Sequence, residues 1–215
     1  MNKTNKLNYK IKVIDNFLNK KDFYDLCNLN IATNISDNFK IYHNKINDHG
    51  VIESSIDKNL LLRLHKNYHH KALEVLNELS SEKIELYEYS DFTIIITHKN
   101  SKFPIHDDTP NKLLSGVVYL SPENNSGTSF YTNQNGDNKT SIKWVCNNAV
   151  FFSRKEKETW HSYEGNGIDN RIVLVYNLMT TNIRKVFKIE KKNYLLGSFR
   201  YRFNPYFYKY LKITI

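Results

Sequence analysis

Three runs, His106-Asp107-Asp108, Trp160-His161 and Arg171-Ile172-Val173-Leu174-Val175-Tyr176, decide how this chain reads. Residues two apart on a strand point to the same side of a sheet, so His106 and Asp108 can grip one ion together. A distant histidine, His161, completes a set of two imidazoles and one carboxylate. Such a set holds a metal from one face and leaves its other positions open. Arg171 heads an apolar run, and its planar, permanently charged guanidinium suits a bidentate pair with a dicarboxylate. Asp107, between the two ligands, should face the opposite way and is given no metal role.

Further pieces lie in order between these ends: Gly116-Val117-Val118-Tyr119-Leu120-Ser121, Ser126-Gly127-Thr128-Ser129-Phe130 and Asn148-Ala149-Val150-Phe151-Phe152. Together they resemble the Fe(II)/2-oxoglutarate-dependent oxygenases, and within them the prolyl 4-hydroxylase-like group. A lone His-x-Asp is a weak signal, but this order over roughly a third of the chain is specific. The resemblance implies Fe(II) held by His106, Asp108 and His161, with 2-oxoglutarate held by Arg171. It also implies O2 as oxidant and ascorbate as a candidate auxiliary reductant. 2-Oxoglutarate would be decarboxylated to succinate while a substrate C–H bond becomes an alcohol. Tyr119 aligns with a family tyrosine that hydrogen-bonds the same carboxylate; a plain core tyrosine is an equal reading. His98 is the rival metal ligand and lacks a carboxylate two positions on.

The chain has 215 residues, 40% hydrophobic and 13% aromatic, enough for one domain with a full core. No apolar run is long enough to span a bilayer, and the polar segment Met1–Lys10 lacks a signal peptide's apolar core. Two cysteines, Cys27 and Cys146, far apart in sequence, fit a reduced compartment, so the expected location is cytoplasmic. The net charge of +9 admits a polyanionic partner. The joint abundance of Lys, Asn, Ile, Tyr and Phe favours compositional drift of an AT-rich genome instead.

Along the chain, Ile11 to Leu18 reads as a strand and turn, and Asn19 as the cap of a helix carrying Phe23, Leu26, Cys27 and Ile31. Cys27 is expected to be a small core residue. Asp37 to Ser55 is polar and irregular and reads as loop or surface. Leu60, Leu64, Tyr68, Ala72, Val75, Leu76 and Leu79 make one stripe of a long helix from about Ile56. His65 and His69 lie one turn apart on it, a metal-binding spacing with no third ligand evident in the sequence. Ile84 to Tyr89 and Thr93 to Thr97 read as strands. Strands and turns then alternate to Leu178. The fold expected is mainly β with supporting helices (α+β): a distorted double-stranded β-helix, or jelly roll, with N-terminal helices packed on it.

The oxygenase domain is expected over residues 1–182, with its β-helix core at about 84–180. Residues 183–215 form a basic, aromatic extension packed on the core or a partner, with Phe187, Tyr194, Phe203 and Phe207 expected against the barrel or a second subunit. The same extension admits a homo-oligomer contact, or single-stranded nucleic acid by stacking plus phosphate contacts. The leading substrate is a prolyl-type side chain in a peptide or protein. The alternatives are a small molecule, nucleic acid, or a non-catalytic jelly-roll binding module. Nucleic-acid-repair oxygenases carry an Arg-x-Asn-x-x-x-Arg pattern; Val173 and Asn177 stand at its later positions here.

Overall fold

A computed structural model describes residues 7–211. The first six residues of the Met1–Lys10 segment and residues 212–215 of the extension lie outside them. The chain opens with strand β1 (Lys12–Ile14) and helix α1 (Lys20–Cys27), then β2 (Phe39–Tyr42), β3 (Asn44–Asn47) and β4 (Gly50–Ser54). The long helix α2 (Lys58–Ser80) follows. Eight strands come next: β5 (Tyr89–Thr97), β6 (Lys102–His106), β7 (Lys112–Ser121), β8 (Ser129–Tyr131), β9 (Thr140–Ser141), β10 (Ala149–Phe152), β11 (Trp160–Glu164) and β12 (Arg171–Met179). Helices α3 (Ile183–Ile189) and α4 (Tyr194–Leu211) close the described chain.

From β5 onward the chain crosses between two antiparallel sheets. The larger runs β1-β10-β7-β12-β5-β3-β4, with β2 also on β5; the smaller runs β6-β11-β8-β9. Strand alternation divides the core between the two faces of the larger sheet. Leu114, Val118 and Leu120 of β7, Phe151 of β10, and Leu174, Tyr176 and Leu178 of β12 pack with the helices. Tyr119, Val150, Phe152 and Val173 point the other way and meet Phe130 of the smaller sheet. A period of two on each strand therefore places one apolar set under α2 and the other inside the roll. The expected jelly roll backed by helices is the fold observed.

Helix α2 forms where its apolar stripe predicts. Asp57 caps it by accepting from the Leu60 N–H at 2.9 Å, and Leu60, Leu64, Tyr68, Ala72, Val75 and Leu76 are buried. Asn19 caps α1 in the same way, accepting from the Asp22 N–H at 2.8 Å.

Several local expectations are corrected. Cys27 is exposed; the buried face of α1 is Asp22 and Leu26, so its inward stripe includes a carboxylate. Asp22 is tied to Tyr68 (2.6 Å), Asn67 (2.9 Å) and Arg63 (2.7 Å). The polar stretch Asp37 to Ser55 contains three strands. Their alternation is hidden because a buried position is filled by Asn44, whose amide donates to the Phe92 carbonyl and accepts from the Ser55 and Ile56 N–H groups. Residues Ser81–Leu86 form a 3-10 turn instead of a strand, burying Lys83 and Leu86 at a period of three.

The extension is helical. Val186 joins the main core and Phe187 is fully buried. Gly197 lets α4 close on Phe187, since a Cβ there would lie 2.2 Å from its ring. Phe203 is 43% exposed and so does not pack on the barrel of its own chain; Leu196, Phe199 and Tyr206 are exposed beside it. A helix can press only one face inward; here that face is Gly197 and Arg200, and the row at 196, 199, 203 and 206 faces out.

Candidate metal centre and co-substrate pocket

His106 ends β6 and pairs directly with His161 of β11, which brings the two rings to 4.2 Å between centroids. Asp108 lies two residues past His106, just beyond the strand, yet still points to the same place. One ligand atom from each of His106, Asp108 and His161 lies within 4.8 Å of the others. The His161 Nε2 is 3.8 Å from the Asp108 carboxylate.

Each imidazole is oriented by the backbone two residues before it. The His106 Nδ1 lies 3.0 Å from the Pro104 carbonyl, and the His161 Nδ1 lies 3.0 Å from the Thr159 carbonyl. A carbonyl can only accept, so each Nδ1 carries a proton, which leaves Nε2 as the nitrogen that can face an ion. Burial, reinforced by His161, pushes the His106 pKa down to about 3, so its imidazole is neutral.

Asp108 is held by residues that motif reading passed over. Lys112 donates to one carboxylate oxygen at 2.6 Å and Ser115 to the other at 2.5 Å; the Arg154 Nε donates to the Asp108 carbonyl at 2.9 Å. Burial would raise this carboxyl, but Lys112, His161 and His106 together hold it far below the usual carboxylate range. Ser115 was legible in principle, because it shares the face of Val117 and Tyr119 on β7.

Asp107 faces away, as strand alternation predicts. It ion-pairs with Arg200 of α4 and accepts from the Lys157 N–H at 2.8 Å. Arg200 also pairs with Glu156 (2.7 Å), Glu156 with Arg154, Arg154 with Glu190 (2.7 Å), and Glu190 with Lys83 (2.8 Å). A buried ion network thus ties the extension to the segment that carries two candidate ligands.

Arg171 sits at the start of β12, 3% exposed. Its Nε has no hydrogen-bond partner, and among the described residues no carboxylate pairs with it. Aromatic faces surround it: its guanidinium is 4.2 Å from the Tyr163 ring centre and 5.5 Å from that of Trp144. Burial lowers its pKa, with the nearby Tyr119 and Tyr163 opposing. Tyr119 is fully buried, stacks on Trp144 at 4.4 Å, and exchanges hydrogen bonds with Thr128. Thr128 lines the cavity, with Tyr119 hydrogen-bonded to it from behind. Gly127 permits this arrangement, since a Cβ there would lie 1.9 Å from the Ile142 carbonyl oxygen.

The candidate ligands and Arg171 open on one cavity of about 190 Å³ between the sheets. Arg171, Thr128 and Tyr163 line it together with His106, Asp108 and His161, and Phe39 and Ile41 of β2 line it too. A second hollow of about 200 Å³ reaches His106 and Asp108 from the side of α4, past Phe103, Pro110 and Tyr201. His98 takes no part in the cluster.

No protein-family model matches the chain, and no curated protein matches it. Solved structures do. The chain is similar to a prolyl hydroxylase from Trichoplax adhaerens in complex with a hypoxia inducible factor oxygen degradation domain peptide fragment. The TM-score is 0.58 at 14% identity, covering 83% of this chain and 87% of that one. It is similar to a Pseudomonas putida prolyl-4-hydroxylase, with TM-score 0.54 and 13% identity over 81% and 95%. The dioxygenase for auxin oxidation 1 from Arabidopsis thaliana, in its 2-oxoglutarate complex, gives 0.56 and 14% over 80% and 84%. At these identities the likeness establishes the fold alone, a double-stranded β-helix.

Proposed function

We propose that this chain is an Fe(II)- and 2-oxoglutarate-dependent dioxygenase that hydroxylates a prolyl-type side chain in a peptide or protein. The observation that carries the reading is a single cavity shared by two features. One is a set of two imidazoles and a carboxylate; the other is a buried arginine with no anionic partner among the described residues. The residues fit both groups. Two nitrogens and one oxygen suit ferrous iron with positions left open. A desolvated guanidinium without a carboxylate is costly unless a ligand supplies one.

His106, Asp108 and His161 would hold the iron, and Arg171 would take the far carboxylate of 2-oxoglutarate, with Thr128 as an added donor beside it. Iron with O2 supplies the oxidising power when bound. The chain's own part is positional. The Pro104 and Thr159 carbonyls lock the imidazole tautomers, while Ser115 and Lys112 aim the Asp108 carboxylate. Phe152, 4.8 Å from the His161 ring, and Phe103, 4.5 Å from the His106 ring, keep water from the centre. The hollow beside α4 reaches the ligands from a side that Arg171 does not occupy, which supports entry of substrate there.

Two bound molecules in the similar structures support the assignment of roles: a peptide fragment in one and 2-oxoglutarate in another. A reducing, cytoplasmic setting suits ferrous iron and two free thiols; no described helix is long and apolar enough to cross a membrane. The second reading is a nucleic-acid oxygenase, favoured by the charge of +9. Against it, Asn177 is engaged with the Gly116 N–H and Asp91 inside the fold, and no second arginine follows Arg171 at the repair-enzyme position. The test is succinate release with Fe(II), 2-oxoglutarate and ascorbate across peptide, small-molecule and oligonucleotide panels, with product mass read for one added oxygen. Succinate coupled to peptide oxidation supports the proposal. Coupling to oligonucleotides alone would replace it, and no turnover with any panel would favour a binding module.

A further inference from the structure

The long helix carries a second constellation, on the other face of the large sheet. His65 and His69 are one turn apart on α2, with rings stacked 4.6 Å between centroids and 19° between planes. The turn between β3 and β4 brings Asp48 to them. One ligand atom from each of Asp48, His65 and His69 lies within 4.8 Å of the others. The third ligand missing from the sequence pattern is thus supplied by a hairpin tip 17 positions before His65.

Two further observations point to a ligand. The His65 Nε2 and the His69 Nδ1 are both buried with no hydrogen-bond partner. A buried polar nitrogen without a partner is unfavourable, and two on stacked rings are unusual for a merely structural pair. His69 is also packed on its far side by the Tyr87 ring at 4.8 Å, which restricts its motion.

We propose that Asp48, His65 and His69 form a Zn2+ site. Two imidazoles one helical turn apart make a ready chelate, and a carboxylate gives the third arm. Zn2+ has no geometric demand from its d electrons, so a hairpin tip can close on it, leaving a fourth position for water. Helix α2 packs on the outer face of the large sheet and the His106 cluster lies inside the roll, so the two sites are separated by that sheet. The Zn2+ would pin the β3–β4 hairpin to α2. Strand β2, whose Phe39 and Ile41 line the inner cavity, runs directly into β3, so the same ion steadies that wall of the pocket.

The test uses the full chain, stripped of metal and titrated with Zn2+ against a chromophoric chelator. A His106→Ala/His161→Ala variant isolates the new site. It should still bind one Zn2+ and melt at a higher temperature with Zn2+ present. Adding Asp48→Asn, a change at an exposed turn, should weaken that binding by more than about tenfold and remove the thermal gain. His65→Gln on the wild-type background should lower the stoichiometry by one equivalent, which keeps the test valid if the double variant does not fold. Absence of Zn2+ binding in a folded double variant, or unchanged stoichiometry and affinity in both Asp48→Asn and His65→Gln, would overturn the proposal. Failure of the His106 centre alone would read differently: one equivalent in the wild type, lost in His65→Gln.

Discussion

Arg171 is a guanidinium in a buried, aromatic-walled place, with no carboxylate among the described residues beside it. Its substitution should therefore separate co-substrate binding from metal binding. Arg171→Ala is expected to keep its metal and lose about 2–5 kcal/mol of 2-oxoglutarate affinity, read as a Kd by titration of the metal-loaded protein. Arg171→Lys should recover part of it, since a point charge replaces a fork. An unchanged Kd in the alanine variant would remove Arg171 from the site. The ligands predict a different pattern. His106→Ala and His161→Ala should each lose stoichiometric Fe(II) or Co(II) retention along with succinate release. Retention of tight metal in either would mean that the ion sits elsewhere.

At the scale of the element, the clearest case is the joint between α1 and α2. Asp22 is fully buried, and although burial alone would raise its pKa, bonds from Tyr68, Asn67 and Arg63 and the Arg63 charge bring it below the ordinary value. A depressed folded-state pKa means stability that is complete above the unfolded carboxylate value of about 3.9, and is lost as pH falls through the folded value. Asp22→Asn should cost about 3 kcal/mol near neutral pH and flatten the acid limb of the stability profile, measured by urea unfolding at several pH values. A variant as acid-sensitive as the parent would mean that another carboxylate controls that limb. This carboxylate also explains why α1 misled pattern reading. An inward polar residue that satisfies every hydrogen bond looks, in sequence, like an outward one. Asn44 hides β3 for the same reason.

Across the whole molecule, the extension and the barrel share one buried ion network, Lys83–Glu190–Arg154–Glu156–Arg200–Asp107. Removing one member leaves charges buried without partners. Glu190→Ala is expected to cost about 3–5 kcal/mol, and a chain ending at Thr181 to melt far below the full chain, since it also uncovers the site of Phe187. An unchanged melting temperature for the truncated chain would show that the network contributes nothing. Much of the charge of +9 is dispersed over the surface, so single-strand binding by anisotropy should be weak at moderate salt. Tight, steeply salt-dependent binding would move the nucleic-acid reading to the front.

The sequence by itself determined the jelly roll and the long helix, and it singled out His106, Asp108, His161 and Arg171 as the candidate set. Each of these depends on local rules: period two along strands, period 3.6 along a helix, and motifs that follow one another in order along the chain. What only the tertiary structure decided are contacts between residues distant in sequence. Thr128 comes to the cavity wall, bonded to Tyr119, through the turn that leads into β8. Asp48 reaches His65 and His69, and Arg200 reaches Asp107, through the packing of a hairpin and a C-terminal helix. No periodicity encodes such meetings, because they depend on where whole elements come to rest rather than on the spacing within any one of them.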